Sequence, residues 1–174
     1  MSEPAGPDLG SDELTFEDFV RGASASLHRT AYLLTGSREA AQDVVQTALT
    51  RIYLAWDRHG QWGNPTAYAR QVVVNTVLTN QRRRWTGELA QAELGDRELG
   101  ASGDRSSEIA DRDALRRALG SLPLRQRTAV VLRHYLDLSE AQTAAEMDAP
   151  LGTIKSLTAR GLDALRTQLQ EATP

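Results

Sequence analysis

At 174 residues and 19.1 kDa, with 40% hydrophobic content, the chain has material for one packed domain or two small ones. The absence of cysteine excludes a disulfide framework and a thiolate zinc site, the three histidines (His28, His59 and His134) lack metal-ligand spacing, and no apolar run approaches a membrane span, so no metal, cofactor or membrane is expected. A net charge of −3 argues, as an average, against a nucleic-acid binder.

Residues 1–13 are polar, acidic and contain glycine and proline, which reads as the disordered tail of a soluble, cytoplasmic protein and not as a signal peptide. Periodicity predicts a helix over residues 14–35, with Phe16, Phe19, Val20, Leu27, Ala31 and Leu34 as its apolar stripe and Gly36 at its end. Ser37 can cap a second helix, reaching about Trp56, that turns Ala41, Val44, Val45, Ala48, Leu49, Ile52 and Tyr53 inward and Asp43, Gln46, Thr50 and Arg51 outward. A loop through Asp57, Gly60, Trp62, Gly63 and Asn64 then leads to Pro65, which suits the first turn of a long helix. That helix directs Tyr68, Val72, Val73, Val77 and Leu78 to the core; Arg70, Asn75, Thr79 and Asn80 lie opposite, and Arg82, Arg83 and Arg84 extend their strip.

Residues 86–107 hold Gly87, Gly95, Gly100 and Gly103, several serines and few large apolar side chains, the composition of a flexible acidic linker. A helix follows over residues 108–120, built on Ile109, Leu115 and Leu119 with Leu122 beyond it, and Pro123 starts another through Val130, Val131, Leu132 and Tyr135. Ser139, with Gln142 three residues on, forms a capping box, Ala144 is small where a second helix would cross, and Asp148-Ala149-Pro150 ends that helix. Gly152-Thr153 opens the last helix, with Ile154, Leu157, Leu162 and Leu165 toward the core. Two short helices joined this way present the start of the second to a DNA major groove, here with Lys155, Ser156, Thr158 and Arg160 on its leading turns; ordinary packing within a helical bundle is the competing reading. No strand pattern competes, so the fold class is all-α: a helical domain at 14–85, a linker at 86–107, and a four-helix unit at 108–170 ending in a helix-turn-helix.

The average charge hides segregation. Residues 64–85 contain no acid beside Arg70, Arg82, Arg83 and Arg84, residues 86–114 set Glu88, Glu93, Asp96, Glu98, Asp104, Glu108, Asp111 and Asp113 against Arg97, Arg105 and Arg112, and after Leu122 the chain turns basic again over residues 123–136, with Arg125, Arg127 and Arg133 and no acid. Phosphate neutralisation depends on the local field, so two basic blocks parted by an acidic stretch are compatible with DNA contact at two places.

These residues carry a resemblance. The chain resembles the extracytoplasmic-function sigma factors, small two-domain specificity subunits of bacterial RNA polymerase, over residues 16–169. Four blocks carry the likeness in order: Thr30-Ala31-Tyr32-Leu33-Leu34-Thr35-Gly36 with Glu39-Ala40-Ala41-Gln42-Asp43-Val44-Val45-Gln46; Asn64-Pro65 through Val73-Val74-Asn75-Thr76 to the arginine run; Leu122-Pro123 with Arg125-Gln126-Arg127 and Val131-Leu132-Arg133; and Gly152-Thr153-Ile154-Lys155-Ser156. The continuation Ser156-Leu157-Thr158-Ala159-Arg160 is most similar to the actinobacterial SigE-type branch.

The resemblance implies a protein that binds core polymerase at its clamp helices and flap, directs it to promoter DNA and opens the −10 element, with an anti-sigma factor as a further partner and no small-molecule substrate. Thr153, Lys155, Ser156, Thr158 and Arg160 would meet the −35 element, with arginine suited to guanine edges and lysine and serine to phosphate. Trp62, Asn64, Arg70, Asn75, Arg82, Arg83 and Arg84 would serve the −10 element, the loop at 57–64 receiving a flipped base. Trp62 could wall that pocket or pack on its own domain, and the arginine run could grip phosphate or end a helix in solvent. Asp43, Gln46, Thr50 and Arg51 would face the clamp. The acidic linker could mimic nucleic-acid charge in a channel or be a plain tether. Three departures stand out: Asp148 where the turn usually has glycine, Leu157 where many members carry arginine, and Thr79 where asparagine or aspartate is common. The alternative is a stand-alone helix-turn-helix regulator that binds an operator without polymerase; an enzyme is not expected, because the chain has no Gly-rich phosphate loop, metal cluster or nucleophile and base pair.

Overall fold

Thr15 sets the start of the first helix. Its hydroxyl accepts a hydrogen bond from the Asp18 N–H at 3.2 Å, so α1 (Phe16–Thr35) begins two residues later than periodicity predicts, and it ends where Gly36 takes φ 72° and donates its N–H to the Tyr32 carbonyl. The structure is a computed structural model that describes residues 14–56, 64–85 and 107–171, with the side chains of 84–85 and 107–111 outside that description; the expected tail, the loop at Trp62 and nearly all of the linker lie outside the described residues. Ser37 caps α2 (Arg38–Trp56) by accepting from the Ala40 N–H at 3.3 Å, and Asn64 caps α3 (Pro65–Trp85) by accepting from Ala67 at 2.9 Å. These three helices enclose a core of Leu27, Leu34, Val45, Ile52, Val73 and Val74, each almost fully buried.

The second unit is built from α4 (Ser107–Ser121), α5 (Leu124–Val130), a π-helical turn (Val131–Tyr135), α6 (Glu140–Met147) and α7 (Leu151–Glu171). The π turn, closed by the Leu136 N–H on the Val131 carbonyl at 3.1 Å, was not expected. Ser139 and Gln142 form the expected capping box, at 3.1 and 2.8 Å, and Asp148 takes the left-handed conformation at φ 46°, ψ 57° in place of the usual glycine. The close crossing in this unit falls at Gly161, where an added Cβ would stand 2.7 Å from Val130 Cγ2.

Among the described residues every regular element is helical, in agreement with an all-α fold. Among the described side chains, three expected in the core are exposed. Tyr53 rests edge-on against Phe16 at 5.1 Å at the end of the first bundle, leaving 61% of it in solvent, while Leu115 and Tyr135 sit at the rim of an apolar cavity of about 670 Å³.

The two units are packed on one another. α1 lies against α4 and α5, and α3 against α5 and α6. Arg127 clasps the seam, donating from Nη1 to the Leu34 carbonyl at 2.8 Å and from Nη2 to the Gly120 carbonyl at 2.6 Å, and burial lowers its pKa from the ordinary arginine value while leaving it a cation. Arg116 bonds the Tyr32 hydroxyl at 3.4 Å and places its guanidinium 5.9 Å from that ring's centroid.

Candidate nucleic-acid interface

Helical spacing divides the leading turns of α7. Ile154, Gly161 and Leu165 are buried on one side, whereas Lys155, Ser156 and Arg160 project to solvent on the other. Lys155 holds a surface ion pair with Glu140 at 3.6 Å, which a phosphate could replace at little cost, and the Ser156 hydroxyl donates to the Thr153 carbonyl at 3.3 Å. Thr153 is half-buried and its N–H is bonded to the Pro150 carbonyl at 2.9 Å, so its hydroxyl, not its amide, is what it can offer a ligand. Thr158 corrects the sequence reading: it falls on the core side, and its Oγ1 is buried without a partner, so it does not join the exposed set.

The strip expected on α3 is split. Asn75, Arg82 and Arg83 are exposed, Arg84 lies in the helix with its side chain outside the described residues, and Asn64 uses its side chain as the helix cap. Arg70 is not free for DNA in this arrangement. Its Nε and Nη2 both donate to Glu146 Oε1, at 2.8 and 2.6 Å, in a pair whose side chains are 19% and 9% exposed. Beyond it, Asn75, Thr79 and Arg82 line a cleft of about 970 Å³ whose other wall includes Arg125, Met147 and Asp148.

On α2, Asp43, Gln46 and Thr50 form one exposed line, with the Thr50 hydroxyl donating to the Gln46 carbonyl at 2.9 Å. Arg51 leaves that line, reaching Thr76 Oγ1 on α3 at 3.4 Å. The line continues instead through Leu54, 67% exposed, which the sequence reading did not single out although its spacing from Asp43 and Thr50 places it there. Glu146 and Arg127 were likewise unassigned; both act through partners remote in sequence. Among the described residues no His, Asp or Glu cluster could hold a metal ion, and no helix is long and apolar enough to cross a membrane.

Comparison with known proteins covers both helical units. The family model for sigma-70 region 2 covers residues 19–86, which hold the α2 and α3 surfaces, and that for sigma-70 region 4 covers residues 112–165, which hold α6 and the leading turns of α7. The RNA polymerase sigma-E factor of Streptomyces avermitilis is 39% identical over 158 residues, covering 90% of this chain and 86% of that protein, and the one from Streptomyces coelicolor is 36% identical over 156 residues with the same coverage. The fold is shared with the sigma factor RpoE of Bartonella quintana, solved with the anti-sigma factor NepR, at a TM-score of 0.69 and 21% identity over 89% of this chain and 96% of that one. The chain belongs to the sigma-70 family of RNA polymerase sigma factors, in its extracytoplasmic-function group.

Proposed function

We infer that this chain binds core RNA polymerase, directs it to specific promoters and opens the −10 element so that transcription can start. The observation that carries the reading is the placement of two sigma-70 matches over two separate basic helix surfaces, the α3 strip and the leading turns of α7. Initiation factors of this family do no bond chemistry themselves, so the work is differential binding.

On this reading Arg160, exposed and unencumbered by a core contact, is assigned to base edges of the −35 element, with Lys155 and Ser156 on the flanking phosphates. Asn75, Arg82 and Arg83 hold the unpaired −10 strand, the first by its amide and the others by charge, and Arg84 extends the grip. Trp62, in the loop outside the described residues, is assigned the wall of a flipped-base pocket by family likeness. Asp43, Gln46, Thr50 and Leu54 form the polymerase-facing line, with Arg51 at its flank. Residues 86–107 span the distance between the two promoter elements. The cytoplasm, where polymerase and promoters are, is the assigned compartment, and the anti-sigma partner of the Bartonella protein makes a protein of that kind a proposed regulator here.

The test is reconstitution. Core polymerase with this chain is expected to start transcripts at discrete promoters, while the chain without polymerase binds duplex promoter weakly; tight, specific duplex binding without any polymerase-dependent transcript would overturn the reading. Asn75→Ala is expected to lower permanganate reactivity of −10 thymines while leaving polymerase binding unchanged, and parental reactivity would remove Asn75 from the opening surface.

A further inference from the structure

We propose that Glu140 sets the affinity threshold of the −35 surface: it cancels the charge that Lys155 would lend to any duplex, so that α7 holds a promoter firmly only when Arg160 finds its base. This deepens the functional reading and rests on α7 being the −35 surface.

The charges on the outer side of α7 are paired unequally. Lys155, on the leading turns, is held by Glu140 Oε2 at 3.6 Å. Asp163 lies three residues from both Arg160 and Arg166, the spacing at which helical neighbours meet, and it takes Arg166, at 2.8 Å. Arg160 is left exposed, and among the described residues no carboxylate pairs with it. The cation suited to base edges is therefore free of a counter-charge, while the cation suited to phosphate carries one.

Glu140 stays in place when DNA arrives. It stands in the first turn of α6, which the Ser139–Gln142 capping box fixes and where the positive end of the helix favours a carboxylate. Breaking an exposed pair of this kind costs little, so the effect does not come from the strength of the pair. It comes from the charge left behind: with the side chains as they stand, a phosphate oxygen at hydrogen-bond distance from Lys155 Nζ lies within about 6.5 Å of Glu140 Oε2, inside a Debye length of about 8 Å. The net charge offered to that phosphate is near zero, and the contact adds little to the counter-ion release that drives sequence-independent binding. A duplex that offers only phosphates is held weakly, and the Arg160 contact decides which duplexes pass.

The full chain with core polymerase can be titrated against a fluorescent duplex promoter that the reconstituted enzyme transcribes, and against the same duplex with its −35 element scrambled. Glu140→Gln keeps the size and polarity of a partly exposed side chain. It is expected to tighten binding about fivefold on both duplexes at about 0.15 M salt, with the gain growing about threefold on dilution to about 0.05 M, as one added phosphate contact requires. A damaged α6 would weaken binding and could not steepen its salt dependence. In a Lys155→Ala background the same substitution is expected to gain less than about twofold, because the charge that Glu140 cancels is gone. No gain from Glu140→Gln, a gain that ignores salt, or an equal gain with and without Lys155 overturns the proposal. A gain on the intact element alone also overturns it, since Glu140 would then be reading a base. A parent that binds both duplexes alike would remove α7 from the −35 element and the threshold with it, whereas a parent that separates them, with Glu140→Gln unchanged, would remove the threshold alone.

Discussion

Arg160 and Thr158 stand two positions apart on α7 and face opposite ways, so substitutions at them should separate promoter reading from folding. Arg160→Ala removes an exposed guanidinium, and a bidentate base contact contributes about 1–3 kcal/mol, so run-off transcription from −35-dependent promoters is expected to fall by about 10- to 100-fold with stability unchanged. Thr158→Val keeps the shape and removes a buried hydroxyl that has no partner, so promoter use should match the parent and urea unfolding should show equal stability or a gain of about 1 kcal/mol. A loss of transcription in Thr158→Val with stability intact would return that residue to the DNA face. Gly161→Ala sets two effects against each other: helix propensity favours alanine by about 1 kcal/mol, while overpacking costs about 1–3 kcal/mol. The second should win, because the added methyl meets Val130, a stiff β-branched side chain that is itself buried, and the Gln126 carbonyl at 3.3 Å. Urea unfolding is expected to show a net loss of about 1 kcal/mol; a more stable variant would mean that α5 can move aside.

At the scale of elements, the helix ends were legible because each is written in a few adjacent residues. Ser37, Pro65, Pro123, Ser139 and Asp148-Ala149-Pro150 cap or break where the local chemistry requires, and Ser139→Ala, which orphans the Gln142 N–H, should cost about 1 kcal/mol in thermal or urea unfolding. A cost near zero would show that solvent satisfies that donor equally well. The face assignments were less legible, since they depend on what covers a helix. Tyr53 has the spacing of a core residue, but the inward places on that turn go to Ile52, fully buried, and to Trp56, which meets the rings of Phe16 and Phe19, so Tyr53 is left edge-on to Phe16. The α3 sequence did hold an unused signal: Val72, Val73 and Val74 are consecutive, and at about 100° per residue they cannot share one face. Three valines in a row call for cover on a wide arc, and α3 receives it from α1 and α2 on one side and from α5 and α6 on the other. The π turn has no comparable local mark.

For the whole molecule, the seam between the units was illegible because its determinants are remote pairs: Arg70 with Glu146 and Arg127 with Leu34 are separated by 76 and 93 positions, and nothing local in either partner announces the other. Its energetics predict how the molecule unfolds. If the units stayed docked, deleting Glu146 would leave Arg70 a buried cation without a counter-charge, a loss of about 3–5 kcal/mol. Undocking returns Arg70 to water, so the loss is capped at the free energy of the seam itself. That free energy is expected to be the smaller of the two, because a cavity of about 470 Å³ between Leu34, Val77, Leu122 and Leu124 leaves the apolar part of the seam incompletely packed beside its polar fastenings. The cheaper response to Glu146→Ala is therefore separation of two folded units, not loss of either core. Scanning calorimetry of the full chain should show one transition with equal calorimetric and van't Hoff enthalpies for the parent and two smaller, overlapping transitions for Glu146→Ala. A variant that still melts in one transition, only at lower temperature, would mean that the two helical units share a single cooperative core and that the seam does not open short of unfolding.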